Sequence, residues 1–203
     1  MCTAYQFSPL RYRTLFATPK ADAEMNGALT LVRPTNPAPV ILPGDELVSM
    51  RWGFDRPWSH AIVNSRDDKL AGSVWRTAFA ERRCLVPIDA YYEWSGPTGK
   101  KRTHRFTPTS EELLWAAGIW EDSPQWGRCF SMITCEPNAL VATVHDRMPA
   151  VLLPDERSAY LAGRLHSFAP PVSLLHLESD ATNPLRKPKS ESEALPEQGE
   201  LLF

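Results

Sequence analysis

Apolar positions in this chain come in short bursts, each cut by proline or a polar turn, with no long helical period. By length and by their β-branched and aromatic content, Val40 to Leu42, Val48 to Trp52, Cys84 to Ala90, Thr103 to Thr107, Leu113 to Trp120, Cys129 to Thr134 and Val172 to Leu177 are expected to be strands. Helical spacing is expected in two places. Between Asp67 and Arg82 the apolar residues Leu70, Val74 and Ala78 repeat, with Trp75 and Phe79 beside them. Pro154 followed by Asp155 and Glu156 starts a second helix, running to about Gly163: proline costs no hydrogen bond there, and acids suit the positive end of the helix dipole. Asn138 to Thr143 reads as a further helical turn, and Gly96 to Lys101 as a hairpin tip. Strands broken irregularly by a few helices, without βαβ alternation, predict an α+β fold: one domain over 1–180 built on a curved, barrel-like mixed sheet. Residues 181–203 mix Pro, Ser, Lys and Glu and are expected to form a flexible tail whose last three residues dock elsewhere.

Composition narrows the class. The chain has 203 residues, 43% hydrophobic and 23% charged, with formal net charge −2, which fits one soluble domain. It has neither an apolar run long enough to cross a membrane nor a secretory signal, so a cytoplasmic, nucleoid-associated location is expected, with no membrane partner. Cys2, Cys84, Cys129 and Cys135 lack paired CxxC spacing; the last three are expected to be reduced and buried. No metal-ligand cluster or cofactor motif is present.

Charge is uneven. Between Arg51 and Arg105 stand eleven lysines and arginines against six acids, so the remainder of the chain is acidic. Trp52, Trp58, Trp75 and Trp94 are interleaved with those cations. Rings beside guanidiniums suit single-stranded nucleic acid, since bases stack on rings while cations hold phosphates. Core packing and solvated charge would give the same composition.

Four segments carry candidate chemistry. Loss of Met1 would place an α-amine and a thiol together on Cys2, a pair that reacts with aldehydes: the amine forms an imine and the thiol closes on it to a thiazolidine. An α-amine near about 7.7 to 8.0 and a thiol near about 8.5 leave reactive forms of both at neutral pH. In Val63-Asn64-Ser65-Arg66 an amide and a guanidinium share a face if the segment is extended, and are placed to hold an oxygen or amine and a phosphate. Glu93 lies among rings in Tyr91-Tyr92-Glu93-Trp94, where its pKa is expected to rise. His145, between Val144 and Asp146-Arg147-Met148-Pro149, is an acid and base near pH 7. Each of the last three also has a purely structural reading as a turn residue, an ion-pair partner or a packed histidine. His60, His104, His166 and His176 are read as structural.

With these residues in order, the sequence resembles the SOS response-associated peptidase (SRAP) family, the abasic-site processing proteins. The likeness runs from Met1 to about Leu177. It rests on the initial Met-Cys, Trp52-Gly53, Asn64 with Arg66, Arg83-Cys84-Leu85-Val86-Pro87 leading into Tyr92-Glu93-Trp94, Ala117-Gly118-Ile119-Trp120-Glu121, and His145-Asp146-Arg147-Met148-Pro149. The resemblance implies covalent capture of abasic sites in single-stranded DNA by a monomer. Cys2 would be the nucleophile, Asn64 would orient the amine or sugar oxygen, Glu93 would manage protons, and His145 would be general acid or base. Arg66 and Arg147 would hold phosphates, with Trp52 and Trp94 beside flanking bases. It also implies self-removal of Met1 and, through the imine, strand cleavage by β-elimination. Thr3 and Ala4 stand where the family commonly has Gly and Arg, which removes a phosphate contact worth about 1 to 2 kcal/mol; Arg11 or Arg13 would have to replace it. Asp68 replaces a frequent Glu. Two other classes compete: an N-terminal-nucleophile cysteine amidohydrolase or peptidase, and a non-catalytic binder of single-stranded nucleic acid.

Overall fold

Strands rich in branched and aromatic residues close into a ring. In the computed structural model, which describes residues 2–8, 30–110 and 112–186, the strands are β1 (Tyr5–Phe7), β2 (Thr30–Val32), β3 (Pro37–Leu42), β4 (Glu46–Trp52), β5 (Phe54–Arg56), β6 (Ser59–Ile62) and β7 (Asn64–Arg66). They continue with β8 (Arg83–Ile88), β9 (Ala90–Ser95), β10 (Arg102–Pro108), β11 (Leu114–Ser123), β12 (Gly127–Cys135), β13 (Met148–Pro149) and β14 (Leu175–Ser179). Two α-helices lie between them, α1 (Arg76–Glu81) and α2 (Pro154–Leu161).

The ring is β11-β8-β3-β4-β12, closed by pairing of β12 with β11. It is mixed, because β12 runs parallel to β4 while the other neighbours are antiparallel. This is the barrel-like α+β architecture the sequence predicts. All of β8 is buried, since packed structure lies on both of its faces. Gly118 on β11 is fixed by that packing: a Cβ there would sit 2.9 Å from the Cys84 sulfur and 3.0 Å from a Val86 methyl. A second, antiparallel sheet has the order β14-β10-β9-β1-β2.

Two short strands extend the barrel toward the second sheet. Where β4 leaves β12 at Phe130, β7 takes its place beside Met132 to Thr134, and β13 pairs Thr134 and Cys135 from the other side. β12 therefore anchors both the Asn64 segment and the exit of the His145 loop, while Cys2 lies in the segment leading into β1 and Glu93 on β9.

The helix expected from Asp67 to Arg82 is a 3-10 turn at Asp67–Lys69 followed, after a break, by α1. Ala71-Gly72-Ser73 interrupts it: the Gly72 carbonyl accepts from both Trp75 and Arg76 and restarts the helix there. Leu70 and Ala78 are buried as the spacing implies, whereas Val74 is exposed. The expected strand from Val172 begins as a 3-10 turn and turns extended only at Leu175. Helix α2 forms as expected, with the Glu156 carboxylate accepting from the Leu153 N–H and Gly163 beyond its end at φ 78°. The Gly96 to Lys101 tip joins β9 to β10. All four cysteines are free thiols and buried. Arg11, Arg13 and the tail from 187 onward lie outside the described residues.

Candidate active site

Cys2 is fixed from two elements. The Tyr92 N–H on β9 donates to the Ala4 carbonyl at 3.0 Å, which seats the start of the chain along β9. From β7, Asn64 Nδ2 donates to the Cys2 carbonyl at 2.8 Å. The Cys2 thiol is fully buried and faces the Ala4 carbonyl at 3.5 Å. Burial and the nearby Glu93 charge push its pKa well up, so near neutrality the sulfur is a thiol that needs a base to react. Oδ1 of Asn64 is buried and has no hydrogen-bond partner among the described residues, a condition that a polar donor from a ligand would relieve.

Glu93, two residues after Tyr91 on β9, points to the same side and is almost wholly buried. Burial raises its pKa to about 7, opposed by the positive charge of the chain's amino terminus. His145 follows a turn that the Asn138 side chain caps, its Oδ1 accepting from Leu140 and Val141. The turn closes when the His145 N–H donates to the Val141 carbonyl at 2.9 Å. His145 Nε2 then stands 4.0 Å from Glu93 Oε2, too far for a direct hydrogen bond and near enough for one substrate atom to address both. Burial, then the charge of the amino terminus, lowers the His145 pKa. The structure thus brings Cys2, Asn64, Glu93 and His145 together from four separate elements.

The four other expected residues divide. Arg66 is half exposed on β7 and forks onto Asp68 at 2.9 and 3.1 Å. Trp94 is half-buried and stacks against Tyr92, ring centroids 6.4 Å apart. Trp52 corrects the expectation of a base-facing ring. It is fully buried, edge-on to Tyr5 and stacked with Phe130, with its indole N–H donating to the Val63 carbonyl at 3.0 Å. Arg147 is also placed differently: its guanidinium is buried, held by the Asp67 carboxylate at 2.5 Å and by the Thr134 carbonyl. Its Nε is buried with no hydrogen-bond partner among the described residues, so the guanidinium is only partly satisfied. Asp67, which the sequence reading passed over as part of a helix, is the residue it missed. Its partner lies 80 positions away, and no local pattern marks that pairing.

The family described as SOS response associated peptidase (SRAP) matches residues 1–184, and the chain belongs to it. Among its relatives, the abasic site processing protein YoqW of Bacillus subtilis is 30% identical over 129 residues, 58% of each chain. The abasic site processing protein YMR114C of Saccharomyces cerevisiae is 29% identical over 139 residues, covering 63% of this chain and 38% of that one. The matched segments thus span little more than half, or less, of these relatives' lengths. Two solved structures share the fold: a protein of Bacteroides thetaiotaomicron (TM-score 0.70, 20% identity, 88% of this chain and 91% of that one) and one of Bordetella bronchiseptica (0.71, 23%, 88% and 99%).

Proposed function

We propose that the protein processes abasic sites in single-stranded DNA by covalent capture, through the α-amine and thiol of Cys2 once Met1 is removed. The observation that carries this reading is the grip of Asn64 on the Cys2 carbonyl beside Glu93 and His145. An aminothiol held next to a buried carboxyl raised to about 7 and an imidazole able to pass a proton is what condensation with an aldehyde requires.

In the proposed sequence, His145 Nε2–H hands its proton to the ring oxygen of the abasic sugar as the bond to C1′ breaks, while the proton leaving the C1′ hydroxyl passes through the Glu93 carboxylate back to His145, which opens the ring to the aldehyde and restores both groups. The Cys2 amine adds to C1′, and the proton it sheds passes to the aldehyde oxygen to give a carbinolamine. Glu93 in its acid form gives a proton to the resulting hydroxyl, which leaves as water and generates the iminium. The Glu93 carboxylate then takes the thiol proton while sulfur adds to C1′, closing the thiazolidine with one water released overall. A carboxyl near 7 serves as acid and as base in turn. Asn64 Oδ1 is a fitting acceptor for the C1′ hydroxyl before it departs. Arg66, on exchanging Asp68 for a phosphate, and Trp94 would contact the flanking strand.

Hydrolysis of the Met1–Cys2 bond by the same acid–base pair, and strand cleavage from the imine, are side activities this site would support. A monomer acting at the nucleoid completes the reading.

The test is a denaturing gel with a single-stranded oligonucleotide holding one abasic site, using protein whose mass shows Met1 removed. Wild type should give a shifted band that survives heating. Cys2→Ser, which keeps the amine, should give only a band that needs borohydride to persist. Absence of any shifted band from processed wild type sinks the proposal.

A further inference from the structure

We infer that Arg147 and Asp67 are positioning residues that fix the tautomer of His145. This rests on the reading of His145 as the proton donor.

The Arg147 backbone N–H donates to His145 Nδ1 at 3.0 Å. A ring nitrogen that accepts a hydrogen bond carries no proton, so in the neutral imidazole the proton sits on Nε2, the nitrogen facing Glu93. The Asp146 carboxylate, 2.9 Å from the same Nδ1, asks for the opposite tautomer. The two demands exclude each other. Asp146 is largely exposed and satisfied by water on turning away, whereas the backbone N–H has no such escape. The burial that lowers the His145 pKa favours the neutral ring, which again favours the backbone donor.

What holds that N–H in place is the arginine's own side chain. One guanidinium nitrogen, Nη2, reaches both the Asp67 carboxylate and the Thr134 carbonyl. Asp67 is set in turn by the N–H of Asp68, which donates to the same Oδ1 at 2.9 Å. Thr134 belongs to β12, which also pairs with Pro149 just beyond Arg147. The loop is therefore tied to the barrel at Arg147 from two directions, immediately after the residue that does the chemistry. The pair acts on the reaction only through the imidazole.

The test is nitrogen NMR of His145 in the full chain without DNA, so that its outcome does not depend on crosslinking. In wild type, Nδ1 should resonate as an unprotonated and Nε2 as a protonated imidazole nitrogen. Asp67→Asn and Arg147→Met should replace this pattern with an average of two tautomers, Arg147→Lys should recover part of it, and Asp146→Asn should leave it unchanged. With saturating abasic oligonucleotide, Asp67→Asn should slow crosslinking about tenfold without changing affinity for an unmodified strand. If Arg147→Met does not fold, Asp67→Asn carries the test alone. An unchanged tautomer in Asp67→Asn, or an Arg147→Met protein with intact tautomer but weaker and less salt-sensitive DNA binding, overturns the inference. Failure of wild type to crosslink while the tautomers behave as stated would instead count against the proposed function.

Discussion

In the proposed site, Glu93 shows most directly how stability would be traded for chemistry. Its carboxyl ionises near the ordinary 4.5 in the unfolded chain and at about 7 in the folded one. Stability tied to the neutral acid is thus full below pH 4.5 and is lost as pH rises through 7. The loss is about 3 kcal/mol by linkage. Glutamine carries no such penalty, so Glu93→Gln should match wild type in urea unfolding at pH 4 and exceed it by roughly that amount at pH 8. The same variant should crosslink about a hundredfold more slowly, having no proton to give or take. A variant that is less stable at pH 8 would show that the carboxylate is held by partners that favour its charge. Cys2, Glu93 and His145 stood out in the sequence as candidates because their chemistry is intrinsic to the residue, and the fold brings them together. The roles of Trp52 and Arg147 were not legible there, because burial decides them. Phe130 and Val63 enclose the indole, Asp67 and Thr134 enclose the guanidinium, and none of these is a close neighbour in sequence.

Among elements, length decided what could be read. Strands such as β8, β11 and β12 announce themselves as apolar runs, while β1, β7 and β13 are two or three residues long and leave no periodic signal. Yet β1, β7 and β13 are the elements next to the chemistry. They exist because the longer strands offer them edges: β9 pairs with β1, and β12 with both β7 and β13. The site should therefore be sensitive to the barrel behind it. At Gly118 a methyl group would press on the Cys84 sulfur and Val86 between β11 and β8. Gly118→Ala should lower stability by about 1 to 3 kcal/mol in chemical denaturation, the usual cost of overpacking a close-packed core. A neutral or stabilising result would mean that β8 and β11 part more easily than the closed ring implies.

For the whole molecule, the proposed function raises the question of what would hold it on DNA. The basic middle of the sequence suggested a phosphate-binding surface, but folding spends much of that charge internally. Arg56 pairs with Glu121, Arg66 with Asp68, Arg102 with Asp180 and Arg105 with Glu178, while Arg83 is buried against the carbonyls of Phe79, Tyr160 and Leu165. Surface pairs of this kind are weak and open to exchange, yet each phosphate that enters must displace a carboxylate. With formal net charge −2, the protein has little long-range attraction for a polyanion. Retention by charge alone should then be modest, and under the proposed function lasting attachment comes from the bond to Cys2. Cys2→Ala, which removes the sulfur, should bind an abasic-free single strand with a shallow salt dependence. Displacement of about one or two counterions corresponds to a log–log slope near −0.7 to −1.4. Fluorescence anisotropy across a salt series would measure it. A slope steeper than about −3 would require four or more phosphates to be neutralised, and would show that DNA displaces several of these carboxylates or engages further cations.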